Sequence, residues 1–289
     1  MIQESLQSES REIEIDGQRL HVDIAGQGPA LMLLHGFTGS SETLSETAEA
    51  LHKDFCVLRV DLPGHGKSDS PTNPRAYSME RCAQLLRGLL DELRIERTNL
   101  FGYSMGGRAA LSFTALHPER VCAVATLGAS AGIENEEDRA ARREDDDKLA
   151  QRILDDGLKA FVDNWMRHPI FALQKNLGEE YLEGARNQRL QNNPEGLAHS
   201  LRGMGSGVQQ PVHDLLARLK LPILLLAGVR DEKFCGIAVE LADRLRNARV
   251  ELIPGAGHAA HVECNSIAAG MAPFGDRVQA LHNYLKLRW

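Results

Sequence analysis

The sequence predicts an α/β fold, a mostly parallel, doubly wound sheet carrying an inserted helical cap, and three features of the chain predict it. Short apolar runs of strand length alternate with amphipathic runs of helical period up to residue 127, the pattern of parallel strands joined by crossover helices. One of those runs, 98–101, passes straight into a helical stretch through Gly102-Tyr103-Ser104-Met105-Gly106, so a serine sits on a sharp strand-to-helix turn that its glycines make room for. The alternation stops at Gly132, gives way to a polar, charged stretch of helical period over 134–212, and resumes at 221. The expected division is a core of 1–131 and 213–289 with a cap of 132–212.

Composition narrows the function classes. At 289 residues, with 43% hydrophobic and 25% charged side chains, the chain can bury one large core. A formal net charge of −7 argues against nucleic acid or an anionic membrane as partner, since both reward clustered positive charge. The five cysteines, Cys56, Cys82, Cys122, Cys235 and Cys264, are odd in number and scattered, with neither a disulfide framework nor a metal-ligand spacing. A reducing cytoplasm is the expected location. Residues 1–12 are polar and acidic without the apolar centre of a targeting signal, no run approaches a membrane span, and no internal repeat is present.

Taken in order, 11–15 and 18–24 alternate polar and apolar residues around Asp16-Gly17, an expected hairpin. A buried strand over 30–34 ends in the glycine-containing turn 35–40, and a helix is expected over 45–52. The strand 55–60 runs into the Gly/Pro loop 61–68, where Asp61 and His65 read as loop-bracing residues rather than catalysts. A helix with leucines at 85, 86, 89, 90 and 93 spans 77–94. The serine turn follows, then a helix over 109–117 and a strand over 121–127. Within the cap, Glu144-Asp145-Asp146-Asp147 reads as a solvated helix face. After it come a strand over 221–227, a helix over 237–246, a strand over 249–253 and a last helix over 275–286.

A serine hydroxyl is a weak base and nucleophile at neutral pH; it needs an imidazole to take its proton and an acid to fix that imidazole's tautomer. Asp231 sits just past one late strand and His258 just past the next, in the glycine-rich loop Pro254-Gly255-Ala256-Gly257. Glu232 competes with Asp231 for the acid's role, and His261 with His258 for the base's. Asp231 comes first off its strand, and Gly255 and Gly257 free the backbone at His258; His261 reads as a packing or supporting residue. Arg108 lies one helical turn after Ser104 on the same face, where a small residue would pack more readily. A guanidinium there fits a carboxylate bound beside the serine, with a structural ion pair as the alternative.

The chain resembles the α/β-hydrolase superfamily over essentially its whole length. Within it the similarity is to the 2-succinyl-6-hydroxy-2,4-cyclohexadiene-1-carboxylate synthase family of menaquinone biosynthesis. The stretches that carry it are 34–40 (LHGFTGS), 102–108 (GYSMGGR), Trp165 with Pro169-Ile170-Phe171, Gln188-Arg189-Leu190, 201–205 (LRGMG), Asp231-Glu232-Lys233-Phe234 and Gly255-Ala256-Gly257-His258. Several lie in the cap, where general hydrolases diverge. The resemblance implies an α/β-hydrolase fold and a lyase that eliminates pyruvate from 2-succinyl-5-enolpyruvyl-6-hydroxy-3-cyclohexene-1-carboxylate, in menaquinone or phylloquinone synthesis, with no cofactor. It implies Ser104, His258 and Asp231 as the catalytic triad, Ser104 removing a ring proton. The backbone N–H groups of Phe37 and Met105 are then the expected oxyanion hole. Tyr103, Arg142, Trp165 and Arg189 are carried over as contacts to a small polycarboxylate substrate, with Arg139 and Arg143 as alternative registers for Arg142. Two departures stand out: Leu44 replaces an expected tryptophan, and after Glu263 the chain reads Cys264-Asn265 and a Gly- and Pro-containing stretch up to 275, where the family has proline and a helix. The same triad also serves a serine hydrolase of esters or C–C bonds, and a third alternative is a non-catalytic ligand-binding member of the fold.

Overall fold

The computed structural model describes residues 8–263. Strands β1 (Ser8–Ile15) and β2 (Gln18–Ala25) form the N-terminal hairpin, turning through Asp16 and Gly17 at φ 50° and 76°. Positive φ at both turn residues is what a two-residue hairpin of this twist demands. There follow β3 (Ala30–Leu34), α1 (Ser45–Leu51), β4 (Cys56–Val60), α2 (Met79–Glu92), β5 (Thr98–Tyr103), α3 (Met105–Leu116) and β6 (Val121–Leu127). After the long α4 (Glu136–Trp165), α5 (Glu179–Arg189), α6 (Pro194–Met204) and the short α7 (His213–Leu216), the sheet resumes with β7 (Ile223–Gly228). Then come α8 (Glu232–Arg244), β8 (Ala248–Ile253) and α9 (Ala260–Glu263).

The sheet has eight strands in the order β1-β2-β4-β3-β5-β6-β7-β8. Only the pairs β1/β2 and β2/β4 are antiparallel; from β4 to β8 every pairing is parallel. The central parallel strands are apolar throughout because both faces are covered. Met32, Leu34, Leu58 and Val60 pack with Leu85, Leu86 and Leu89 of α2 and Ala110 and Phe113 of α3. Their neighbours Leu31, Leu33 and Val57 point the other way, onto Ala48 and Leu51 of α1 and Ala260 of α9. The parallel strands end on one side, which is where such sheets place their sites.

Between β6 and β7 the chain leaves the sheet. The insert has an apolar centre of its own, Ala150, Ile153, Phe161 and Val162 of α4 against Leu197, Ala198 and Leu201 of α6. Its two ends meet, since the Val212 amide donates to the Ala131 carbonyl at 2.9 Å. The acidic tract departs from the expected solvated face: Glu144, Asp145 and Asp147 are exposed, but Asp146 is turned inward and is only 3% exposed. There it accepts from Arg142 Nε at 2.8 Å and from the Gly207 amide at 3.4 Å, the partners that make a buried carboxylate tolerable.

Two helices start earlier than their periodicity predicts. α3 begins at Met105 rather than 109, because the turn is compressed into the single residue Ser104; α8 begins at Glu232 rather than 237, because Asp231 caps it. The helix expected over 275–286, Cys264 and the unusual stretch to 275 lie outside the described residues. Among the described residues no helix is long and apolar enough to cross a membrane.

Inside α4, Gly157 adopts φ 80°, ψ 158°, a conformation essentially reserved for glycine, and it kinks the helix where a Cβ would meet open space. Gly157→Ala therefore strains the backbone without a steric clash. It is expected to destabilise the protein by about 1–3 kcal/mol, read as a lower urea midpoint at unchanged slope.

Candidate active site

Ser104 stands at φ 51°, ψ −110°, a strained conformation for a residue with a side chain. Close packing enforces it. A Cβ on Gly102 would lie 2.3 Å from the Gly106 carbonyl oxygen, and one on Gly106 would lie 2.1 Å from that of Leu34. The two glycines thus let α3 sit directly on the sheet, and the Ser104 amide is tied to the Leu127 carbonyl of β6 at 2.8 Å.

The turn aims Ser104 Oγ at His258 Nε2, 2.9 Å away, and His258 Nδ1 lies 2.6 Å from Asp231 Oδ2. With the Nδ1 proton donated to the carboxylate, Nε2 is free to accept from the serine hydroxyl. Asp231 is held by its second oxygen, which caps α8 by accepting from the Phe234 amide at 3.4 Å. The imidazole is boxed in by Phe234 and Tyr103, with ring centroids at 4.7 and 5.5 Å. Gly128 closes the last side, since a Cβ there would lie 2.9 Å from the His258 ring. Of the competing residues, Glu232 is exposed on the first turn of α8. His261 is buried, with its ring centroid 4.2 Å from that of Tyr103 and no hydrogen bond to either nitrogen among the described residues.

Phe37 and Met105 line the same cavity as this group. Met105 opens α3, so its N–H has no intrahelical acceptor and the helix dipole reinforces it. The Phe37 loop is rigidly supported: His35 donates from Nδ1 to the Gly36 carbonyl at 2.8 Å and accepts from the Leu62 amide at Nε2, 3.0 Å away. Asp61 braces the neighbouring loop by accepting from the amides of Ser41 and Lys67 at 2.5 and 2.8 Å. One contributor escaped sequence reading: Asn192, between α5 and α6, donates to the Thr38 carbonyl at 3.0 Å and accepts from the Gly66 amide at 2.9 Å. A single asparagine in a polar loop carries no signal of such a role.

A cavity of about 1440 Å³ opens over Ser104, lined by core and insert alike. Tyr103, Arg108, Arg142, Trp165 and Arg189 all line it. Trp165 stacks on Phe161 and meets Phe37 and Phe171 edge-on, and its indole N–H is buried without a partner among the described residues. Arg108 uses Nη1 alone, donating to the Met204 carbonyl and Gln209 Oε1, both at 2.7 Å. Arg189 donates from Nη1 to the Ala185 carbonyl at 2.7 Å and lies 6.0 Å from the centre of the Phe171 ring. Neither has a carboxylate partner among the described residues, whereas Arg142 is paired with Asp146. Desolvation pushes Arg108 down to about 10, the charge of Asp146 opposing the shift, and desolvation also lowers Arg189. Burial drives the Tyr103 hydroxyl far above its ordinary range, so it stays a neutral donor.

Burial also keeps histidines around the site neutral. His65 and His261 are pushed down to about 3 from 6.5, chiefly by desolvation, and His35 moves in the same direction. In the unfolded chain these groups take up protons as pH falls through 6.5, while in the folded protein they resist, so the unfolded state binds more protons in that window. Stability is therefore complete above about pH 6.5 and is lost as pH falls toward 3. Urea midpoints should drop progressively on acidification, and His65→Asn should flatten that slope by one titrating group.

A family model described as the alpha/beta hydrolase fold matches residues 29–263. A Bacillus subtilis protein provisionally named 2-succinyl-6-hydroxy-2,4-cyclohexadiene-1-carboxylate synthase is 41% identical over 252 residues, covering 86% of this chain and 91% of its own. The synthase of that name from Escherichia coli strain Crooks is 35% identical over 235 residues, covering 81% and 88%. The structure of MenH from S. aureus superposes with a TM-score of 0.84 at 30% identity, over 96% of this chain and 98% of that one. The chain belongs to the α/β-hydrolase fold family and, within it, to the 2-succinyl-6-hydroxy-2,4-cyclohexadiene-1-carboxylate synthase family.

Proposed function

We propose that this chain is a lyase that expels pyruvate from 2-succinyl-5-enolpyruvyl-6-hydroxy-3-cyclohexene-1-carboxylate to form 2-succinyl-6-hydroxy-2,4-cyclohexadiene-1-carboxylate, acting in the cytoplasm in quinone synthesis. The observation that carries this reading is the pair Arg108 and Arg189, two desolvated guanidiniums without carboxylate partners among the described residues, lining the cavity that holds a serine hydrogen-bonded to histidine. A buried cation left unpaired costs several kcal/mol, so a cavity built this way is suited to an anionic ligand and poorly suited to a neutral ester. A substrate with several carboxylates supplies the missing charges, and bidentate pairing fixes its ring over Ser104.

In the proposed reaction a ring C–H bond breaks as its proton passes to Ser104 Oγ, and the serine's own proton moves to His258 Nε2. The electron pair left on carbon spreads toward an adjacent carbonyl, and the amides of Phe37 and Met105 hold the developing oxyanion. As the ring double bond forms, the C–O bond to the enolpyruvyl group breaks, and the departing group takes a proton and leaves as pyruvate. Asp231 keeps the imidazolium that forms in transit oriented and compensated. Residues 132–212 act as a cap whose Trp165 and Arg189 close over the ring and keep water out. Arg142, held by Asp146 in this structure, is the third candidate cation for a carboxylate.

Pyruvate release from that substrate tests the reading, with a simple aryl ester assayed beside it. Ser104→Ala should cut kcat by about 10³-fold or more, and Arg108→Ala should raise KM by about 10–100-fold, the worth of a charged hydrogen bond. Ester cleavage dependent on Ser104, with no pyruvate released by the unaltered protein, would identify a serine hydrolase instead.

A further inference from the structure

We infer that Glu263 is a positioning residue for the reaction, its carboxylate fastening the loop that carries His258 by accepting from the Gly257 amide directly before the base. This rests on the reading of Ser104, His258 and Asp231 as the reacting group and adds a fourth side chain to it. Glu263 ends α9, the short helix that begins two residues after His258. From there its Oε2 folds back to accept from the Gly257 amide at 2.6 Å, while Oε1 is buried without a hydrogen-bond partner among the described residues.

The loop needs such a fastening. Residues 254–259 lie outside the regular elements, Gly255 is at φ 75°, and the backbone at 257 has no side chain to anchor it. The stem is held by main-chain bonds, Val229 N–H to the Ile253 carbonyl at 3.0 Å and Arg230 N–H to that of Ala256 at 2.8 Å. It also presses closely on β7, where a Cβ on Gly228 would lie 2.1 Å from the Gly257 carbonyl oxygen. Past the base, the Ala259 carbonyl accepts from the Val262 and Glu263 amides of α9 at 2.9 and 3.0 Å. Between these contacts, the orientation of His258 is set by Asp231 through its ring and by Glu263 through its backbone. Removing the carboxylate orphans the Gly257 amide next to the base and frees the main chain that leads into it. Burial raises the Glu263 carboxyl while hydrogen bonding to the backbone lowers it, which fits a carboxylate turned toward the loop rather than toward solvent.

The test uses Glu263→Ala and Glu263→Gln in the full chain. Three readouts are followed: kcat and KM for pyruvate release, the rate of Ser104 phosphonylation by a fluorophosphonate, and the thermal midpoint. Phosphonylation needs an aligned His258 but none of the polycarboxylate contacts. The alanine variant should lose about 100-fold in kcat, as an ångström-scale misplacement does, with KM little changed and phosphonylation slowed in parallel. The glutamine variant, which keeps a carbonyl acceptor, should recover most of both rates at a similar thermal midpoint. The inference is overturned if alanine leaves both rates near those of the unaltered protein, if KM alone changes, or if glutamine fails to rescue a folded protein. Should the unaltered protein release no pyruvate yet react with the fluorophosphonate, the lyase reading falls and the phosphonylation ratios alone decide the role of Glu263.

Discussion

The close seating of α3 on the sheet is the constraint from which the site follows. Ser104 is held at a φ that costs on the order of 1–3 kcal/mol, and nothing local to the serine compensates. What holds it there is the packing of Gly102 against Gly106, of Gly106 against Leu34, and the bond from the Ser104 amide to Leu127, all of them contacts between neighbouring strands and the helix above. Any side chain at 102 or 106 would lift α3 off β3 and β5, swing Oγ away from His258 and remove the Met105 amide from the oxyanion position. The strained turn thus links the sheet's interior packing to the serine's reach.

Charge is distributed around that turn in a way the sheet alone would not require. Several buried groups around the site are neutral: histidines kept uncharged by desolvation, a tyrosine far from ionisation, and backbone amides. The free cations, Arg108 and Arg189, are fixed by carbonyl and amide oxygens that orient a guanidinium without neutralising it. The buried carboxylate of Asp146 is itself satisfied by Arg142 and a backbone amide, so it moderates Arg108 without pairing with it. Such an arrangement is costly in an empty cavity and favourable with an anion in it, which is how a binding site rather than a packed core distributes its charges.

Much of this was legible in the sequence because it rests on local rules. The alternation of strands and helices, the turn through Gly102 and Gly106, and the hairpin at Asp16-Gly17 are short-range patterns, and the structure forms each of them where the pattern lies. Ser104, Asp231 and His258 could be picked out because each stands just beyond a strand end, and they meet within hydrogen-bonding distance. What escaped was tertiary. The inward turn of Asp146 depends on Gly207 approaching from 61 residues away, and periodicity within one acidic run cannot show that. Asn192 matters through Thr38 and Gly66, both more than a hundred residues earlier. The early start of α8 follows from the carboxylate of Asp231, which caps the helix with one oxygen while the other meets the imidazole.

That double use of Asp231 bears on why one triad serves both hydrolysis and elimination across this fold. Its oxygens are fixed by a helix N-terminus on one side and an imidazole on the other, and His258 is in turn walled by Phe234, Tyr103 and the bare backbone of Gly128. The relay therefore delivers the same thing whatever lies above it: a serine oxygen able to give up its proton, next to two amides that welcome negative charge. Whether that oxygen attacks a carbonyl carbon or removes a proton depends on which atom is held against it. In the reaction we propose, the choice passes to the groups offered to the substrate's charges, Arg108 from the core and Arg189 from the insert, both of which line the cavity. A substrate gripped at two carboxylates cannot swing a carbonyl carbon onto Ser104 without breaking one of those pairs. On that proposal the cations act as selectors of reaction type, favouring the ring C–H bond, while the triad beneath them stays that of a hydrolase.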